Sequence, residues 1–180
     1  VSEPLSLTAR AELLRIARES VFAAARGLDY FPRSNGHPEL DRGAGVFVTL
    51  RLRGRLRGCI GRVTPSDPLW RVVPEIARCS ALEDPRFPPL APHELDRVAI
   101  EISVLGPMRG VRGPEEIRPG LDGLLIRRAE RSGLLLPQVA VEAGWDAVRF
   151  LEETCVKAGL PRGAWTLDAE IVAFTAEVFG

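Results

Sequence analysis

Apolar residues recur at helical spacing over residues 7–27, where Leu14, Ala17, Val21, Ala24 and Leu28 fall on one stripe. Thr8 can cap the start and Gly27 can end it, so the spacing predicts an amphipathic helix that packs on a core. Asp29 to Gly43, rich in Pro, Gly, Asn and Ser, reads as a connecting loop. The period then changes from helical to two. Val46, Val48 and Leu50 alternate with Phe47, Thr49 and Arg51, and a second run follows as far as Val63, so residues 45–63 read as a β-hairpin.

The register of that hairpin decides which side chains share a face. A two-residue turn at Arg53-Gly54 would pair Leu52 with Arg55 and put Val48 and Leu50 beside Arg57 and Cys59. A three-residue loop, Leu52-Arg53-Gly54, with a left-handed Gly54 and a bulge, pairs Arg51 with Arg55 instead. Val46, Val48, Leu50, Leu56, Gly58 and Ile60 then share an apolar face. Phe47, Thr49, Arg51, Arg55, Arg57 and Cys59 share the other, with Cys59 beside Arg57 and opposite Phe47. The cleaner segregation favours the second arrangement.

Thr64-Pro65-Ser66-Asp67-Pro68 carries a helix-start pattern with Ser66 or Asp67 as cap. Leu69, Val72, Val73, Ile76 and Ser80 form the buried stripe of the helix that follows. Pro74, inside that run, is expected to kink or split it. Arg97 to Leu105 alternates as a half-buried strand, and Gly106 to Gly120 reads as loop with a helical turn at Pro114–Ile117. Leu124–Arg128 and Leu134–Leu136 suggest a second hairpin across a turn ending in Gly133. Pro137–Ala143 suggests a short helix. Asp146 caps a helix through Ala158 with Val148, Leu151, Cys155 and Ala158 as its stripe, and Glu170 to Val178 is a last strand. Strands and helices mix without regular β-α-β alternation. The expected fold class is therefore α+β: a mainly antiparallel sheet with flanking helices, in two lobes sharing one core. One domain over residues 1–180 is expected, and no composition shift marks the lobe boundary.

Composition narrows the function classes. Of 180 residues, 46% are hydrophobic, enough for a packed interior. Twenty-four basic residues balance twenty-four acidic ones, so any nucleic-acid or membrane attraction needs a local patch. Cys59, Cys79 and Cys155 are widely spaced and odd in number, which suits neither a disulfide framework nor a zinc site and points to a reducing compartment. His37 and His93 are the only histidines, excluding a His-rich metal site. With no signal-peptide pattern and no long apolar run, a cytoplasmic protein with no metal and no cofactor is expected.

Leu56–Gly61, LRGCIG, resembles the signature of the AMMECR family, named for the Alport syndrome, midface hypoplasia and elliptocytosis chromosomal region. Glu83–Leu90 (EDPRFPPL), Ile100–Leu105 (IEISVL), Arg118–Ile126 (RPGLDGLLI), Leu134–Val139 (LLLPQV) and Phe150–Leu160 (FLEETCVKAGL) follow in the family's order. The resemblance implies an intracellular α+β protein with two lobes around the signature, and no established activity. It also implies a setting, a gene set that includes a Memo-type protein and a radical SAM enzyme. This chain has no CxxxCxxC cluster, so radical chemistry would belong to such a partner.

Candidate chemistry gathers on the motifs. Cys59 is a candidate nucleophile with Arg57 as electrostatic partner; the other reading is a small half-buried cysteine packing against Phe47, with Gly58 and Gly61 permitting close backbone approach. Arg51, Arg53, Arg55, Arg57 and Arg62 can contact phosphates of a nucleic acid or nucleotide, or form a solvated hairpin edge. Asp84, Arg86 and Phe87 lie in a rigid loop, where the charged pair can polarise a substrate or fix the loop. Glu101 interrupts an apolar strand and would meet Arg57 if the strands neighbour. Gln138 offers an amide at a strand-to-helix turn, to read a ligand or to satisfy backbone. The two functional readings are an accessory or interaction module with a cleft around the LRGCIG strand, and an enzyme using Cys59.

Overall fold

In the computed structural model, which describes residues 3–33, 36–64 and 67–180, the first apolar stripe forms helix α1, Leu7–Ala25. Its cap is Ser6, whose hydroxyl accepts the Ala9 N–H, rather than Thr8. Gly27, at φ +70°, turns the chain out of the helix. Leu28 N–H then bonds the Ala23 carbonyl and Gly27 N–H that of Ala24, the paired bonds of a Schellman ending. The stripe runs through Ala9, Leu13, Ile16, Ala17, Ser20, Val21 and Ala24. Leu28, placed on it by spacing alone, lies past the helix and is 63% exposed.

The chain divides into two units, one holding Glu3–Leu105 and Glu177–Gly180, the other Gly106–Ala176. In the first, strand β1 (Val46–Leu52) lies between β2 (Arg55–Arg62) and β3 (Val98–Gly110), antiparallel to both. Helices α1 and α2 (Leu69–Leu82) pack together, and α2 also packs on β1 and β2. Val46, Val48 and Leu50 are fully buried in the cluster that these elements share with Leu13, Leu69 and Ile102. Pro68 occupies the cap position of α2 without a side-chain bond, and Ser66 lies outside the described residues. Pro74 sits within a single helix rather than splitting it, and its carbonyl accepts the Ser20 hydroxyl at 2.6 Å. Of the predicted connecting loop, residues 34 and 35 lie outside the described set, and Pro38–Asp41 forms a 3-10 turn.

In the second unit β4 (Asp122–Arg128) lies between β5 (Arg131–Leu135) and β6 (Glu170–Phe179), again antiparallel to both. β3 runs five residues past its predicted end, into what the alternation read as loop, and a 3-10 turn follows at Pro114–Glu116. The β4–β5 turn falls at Ala129-Glu130, where Ala129 has φ +52°, rather than nearer Gly133. Helices α3 (Pro137–Glu142) and α4 (Ala147–Lys157) follow, the latter capped by Asp146 as its pattern predicts. Phe150, Leu151, Thr154 and Cys155 are its buried residues, while Val148 is 43% exposed. The fold class is α+β with antiparallel sheet pairing and flanking helices. Among the described residues, each unit holds a cluster of buried apolar side chains.

Candidate functional site

The hairpin resolves the choice of register in an unexpected way. Its turn is the two-residue one: Leu52 pairs with Arg55, and Arg53 and Gly54 both take positive φ, at 51° and 77°. A bulge then inserts one extra residue in β2, so that Arg51 faces Leu56 but Leu50 faces Gly58. Beyond the bulge Val48 meets Ile60 and Thr49 meets Cys59, so the predicted face partition holds from residues 46 to 50 and 58 to 61. Near the turn it fails: Leu56 is 38% exposed, and Cys59 stands opposite Thr49 rather than Phe47. The Thr49 hydroxyl donates to Cys59 Sγ at 3.3 Å.

Each signature glycine has a steric reason. A Cβ on Gly58 would stand 2.1 Å from the Ser80 carbonyl oxygen, so α2 can approach β2 there only with no side chain. On Gly61 it would enter the ring of Phe47. Ser80, counted only as a stripe residue in the pattern, joins helix to hairpin by accepting the Ile60 N–H at 3.0 Å and donating to the Val48 carbonyl at 2.9 Å.

Arg57, carried by the bulge, does not turn toward Cys59 or Glu101. Its Nε and Nη2 donate to the two oxygens of Glu94, each at 2.8 Å, and Nη1 and Nη2 donate to the carbonyls of Pro88 and Pro89. The Arg57 guanidinium, with help from the Ala91 N–H, holds the Glu94 carboxyl down at about 2. No motif singles out Glu94, so sequence reasoning missed this partner.

Asp84 and Arg86 do reach Cys59, through its backbone. Asp84 Oδ2 accepts the Cys59 N–H at 2.8 Å, and Arg86 Nη2 donates to the Cys59 carbonyl at 3.2 Å. Arg86 also grips both oxygens of Asp84, whose side chain is only 3% exposed. Those bonds, outweighing burial, hold the Asp84 carboxyl far below the usual carboxylate range. The Arg86 guanidinium carbon lies 5.6 Å from the centre of the Phe87 ring. A carboxylate and a guanidinium thus satisfy β2's amide and carbonyl at Cys59.

Across the sheet, Thr49 pairs with Cys59 on one side and Glu101 on the other, so these three side chains form one cross-strand row. The next row is Gly61, Phe47 and Ser103. Glu101 Oε1 and Ser103 Oγ are both buried without a hydrogen-bond partner among the described residues. In the second unit Gln138, near the start of α3, has its Oε1 in the same condition. Sequence reading also passed over Asp122 of that unit, fully buried and held by Arg109 and by both the backbone and guanidinium of Arg118. Its place inside the RPGLDG run is the one signal that could have found it.

The arginine cluster is divided by the fold. Arg57 is paired with Glu94, and Arg62 donates to Glu75 at 2.8 Å. Arg53 and Arg55 extend from the turn and are exposed. Among the described residues no helix is long and apolar enough to cross a membrane.

Residues 14–179 match the family model described as AMMECR1. The chain is 46% identical over 179 residues to a protein of Thermococcus gammatolerans, covering 93% of this chain and 87% of that protein. It is 44% identical to protein NEQ441 of Nanoarchaeum equitans, covering 93% of this chain and 97% of that one. The crystal structure of uncharacterized protein PH0010 from Pyrococcus horikoshii superposes with a TM-score of 0.88 at 43% identity, over 92% of this chain and 88% of that chain.

Proposed function

Since the chain belongs to the AMMECR1 family, we propose that it acts as an accessory or interaction module, and that its docking element is the face of the LRGCIG strand shared by Cys59, Thr49 and Glu101. The observation that carries this reading is the Glu101 carboxylate, which keeps Oε1 buried and without a donor in the row beside Cys59. Leaving such an oxygen unpaired costs about 1–3 kcal/mol, which a bound partner's donor would recover once the side chain turns out to meet it. Asp84 and Arg86 hold the strand at Cys59, so the docking element is ordered before a partner arrives, which lowers the cost of binding. In keeping with the family's setting, the partners proposed are a Memo-type protein and a radical SAM enzyme.

Co-purification of the tagged chain with those two proteins tests the proposal. Wild type should retain at least one of them. Glu101→Ala should weaken retention about tenfold, the loss of one charge-assisted hydrogen bond, and Arg57→Ala should weaken it by loosening the bulge. If neither protein is retained, or both variants bind as wild type does, the proposal is wrong.

The second reading, an enzyme with Cys59 as nucleophile, is favoured by one observation, the Thr49 hydroxyl directed at the sulfur. With Cys79→Ser and Cys155→Ser in the background, a thiol reagent should modify Cys59 faster than it modifies a free cysteine at neutral pH. An inert thiol, or one reacting no faster than free cysteine, removes this reading.

A further inference from the structure

At the turn end of the hairpin, residues from two separate segments close around a concavity of about 560 Å³. Leu52, Arg53 and Arg55 come from the β1–β2 turn. His93, Glu94 and Arg97 come from the 3-10 turn Pro92–Arg97. The volume is that of a small-molecule site. The charge balance of its wall is lopsided. Among the described residues of the lining Glu94 is the only carboxylate, and Arg57 already engages both of its oxygens. Among the described residues Arg53, Arg55 and Arg97 have no carboxylate at ion-pair distance. Arg53, Arg55 and Arg97 therefore line one space without a carboxylate of their own, and His93 lines it beside them.

We infer that this concavity binds a small, non-aromatic metabolite carrying two or more clustered oxyanion groups, held by Arg53, Arg55 and Arg97. Guanidinium forks match phosphate and carboxylate geometry in a bidentate way, and neighbouring cations without carboxylate partners gain most from a ligand of concentrated negative charge. An extended nucleic acid fits less well. The lining has no Phe, Tyr or Trp on which a base could stack, the chain carries no net charge, and the arginines that would prolong a basic track, Arg57 and Arg62, are paired with Glu94 and Glu75. The Arg57–Glu94 pair instead ties the bulged strand to the 3-10 turn and so sets the distance between the two sides of the concavity. None of this depends on the partner-docking role of the Cys59 row, which involves none of the lining residues.

Calorimetric titration with inorganic pyrophosphate, and separately with citrate, tests the inference and distinguishes phosphate from carboxylate recognition. At least one of the two should bind once per chain with an affinity that falls as salt rises. The double variant R53A/R97A should weaken that binding by about tenfold or more, while R112A, which removes one charge from an exposed residue of the other unit, should leave it unchanged. Both variants alter exposed side chains, so thermal midpoints matching wild type will establish that they fold. R97Q provides a milder variant of the same wall, expected to give an intermediate loss. The inference is overturned if neither anion binds, if R112A weakens binding as much as R53A/R97A, or if a single-stranded oligoribonucleotide binds and pyrophosphate cannot displace it.

Discussion

Gly58 and Gly61 are both signature glycines, yet their surroundings differ in stiffness. Gly58 lies against a main-chain oxygen of α2, which cannot move without shifting the helix, whereas Gly61 lies against a side-chain ring. Gly58→Ala should cost about 3 kcal/mol and Gly61→Ala about 1–2 kcal/mol, as the Phe47 ring swings aside; urea unfolding of the two variants checks the order. Glu94 makes the second prediction at this scale. Its carboxyl, pulled from its ordinary 4.5 to about 2 by Arg57, has a lower pKa folded than unfolded. It therefore adds stability above pH 4.5 that is lost as pH falls toward 2. Glu94→Gln should destabilise the protein at neutral pH and flatten this part of its acid limb, as followed by thermal melts between pH 2 and 7. Of these features, the Arg57–Glu94 pair was not legible beforehand and the glycines only in part. The glycines were visible as positions of close approach, but the atoms approached belong to residues 14 to 22 positions away in the chain.

At the scale of elements, the hairpin shows how two local rules combine. Apolar segregation requires Val48 and Leu50 to share a face with Gly58 and Ile60, and that parity is found. The turn, however, is the tight type with both central residues left-handed, which shifts the parity by one; the bulge at Arg57 shifts it back. Pattern alone could not separate a three-residue loop from a two-residue loop with a bulge, because either serves the core equally. The turn leaves Arg53 at φ +51°, a conformation that Asn tolerates better than arginine. Arg53→Asn should raise stability by about 0.5 kcal/mol, seen as a higher urea midpoint with unchanged slope. Helix α1 is simpler: its cap moved by two residues, from Thr8 to Ser6, because both hydroxyls precede the same stripe and only backbone geometry chooses between them.

At the scale of the whole molecule, buried side chains among the described residues include one cluster with Leu13 and Ile102 and another with Phe150 and Leu124. Each cluster should respond mainly to its own cavities. Leu13→Ala should cost about 2–5 kcal/mol and Phe150→Ala about 3–5 kcal/mol. Hydrogen exchange should show protection falling first in α1, α2 and β1 for the former, and in α4 and β4 for the latter. Uniform loss of protection across all elements in both variants would contradict this expectation.

The sequence by itself determined the α+β class, most helices and strands to within a few residues, and the family, because hydrophobic period and contiguous motifs are local properties of the chain. It also located the LRGCIG strand as the element to watch. What only the tertiary structure decided is which charges meet. Arg57 goes to Glu94 rather than to Cys59 or Glu101, Asp84 and Arg86 go to the Cys59 backbone, and Arg53, Arg55 and Arg97 gather around one concavity. Ion pairs form between side chains that come within a few ångströms in space. A one-residue bulge or a 3-10 turn redirects a long arginine by more than that, without leaving any mark in the period of the sequence.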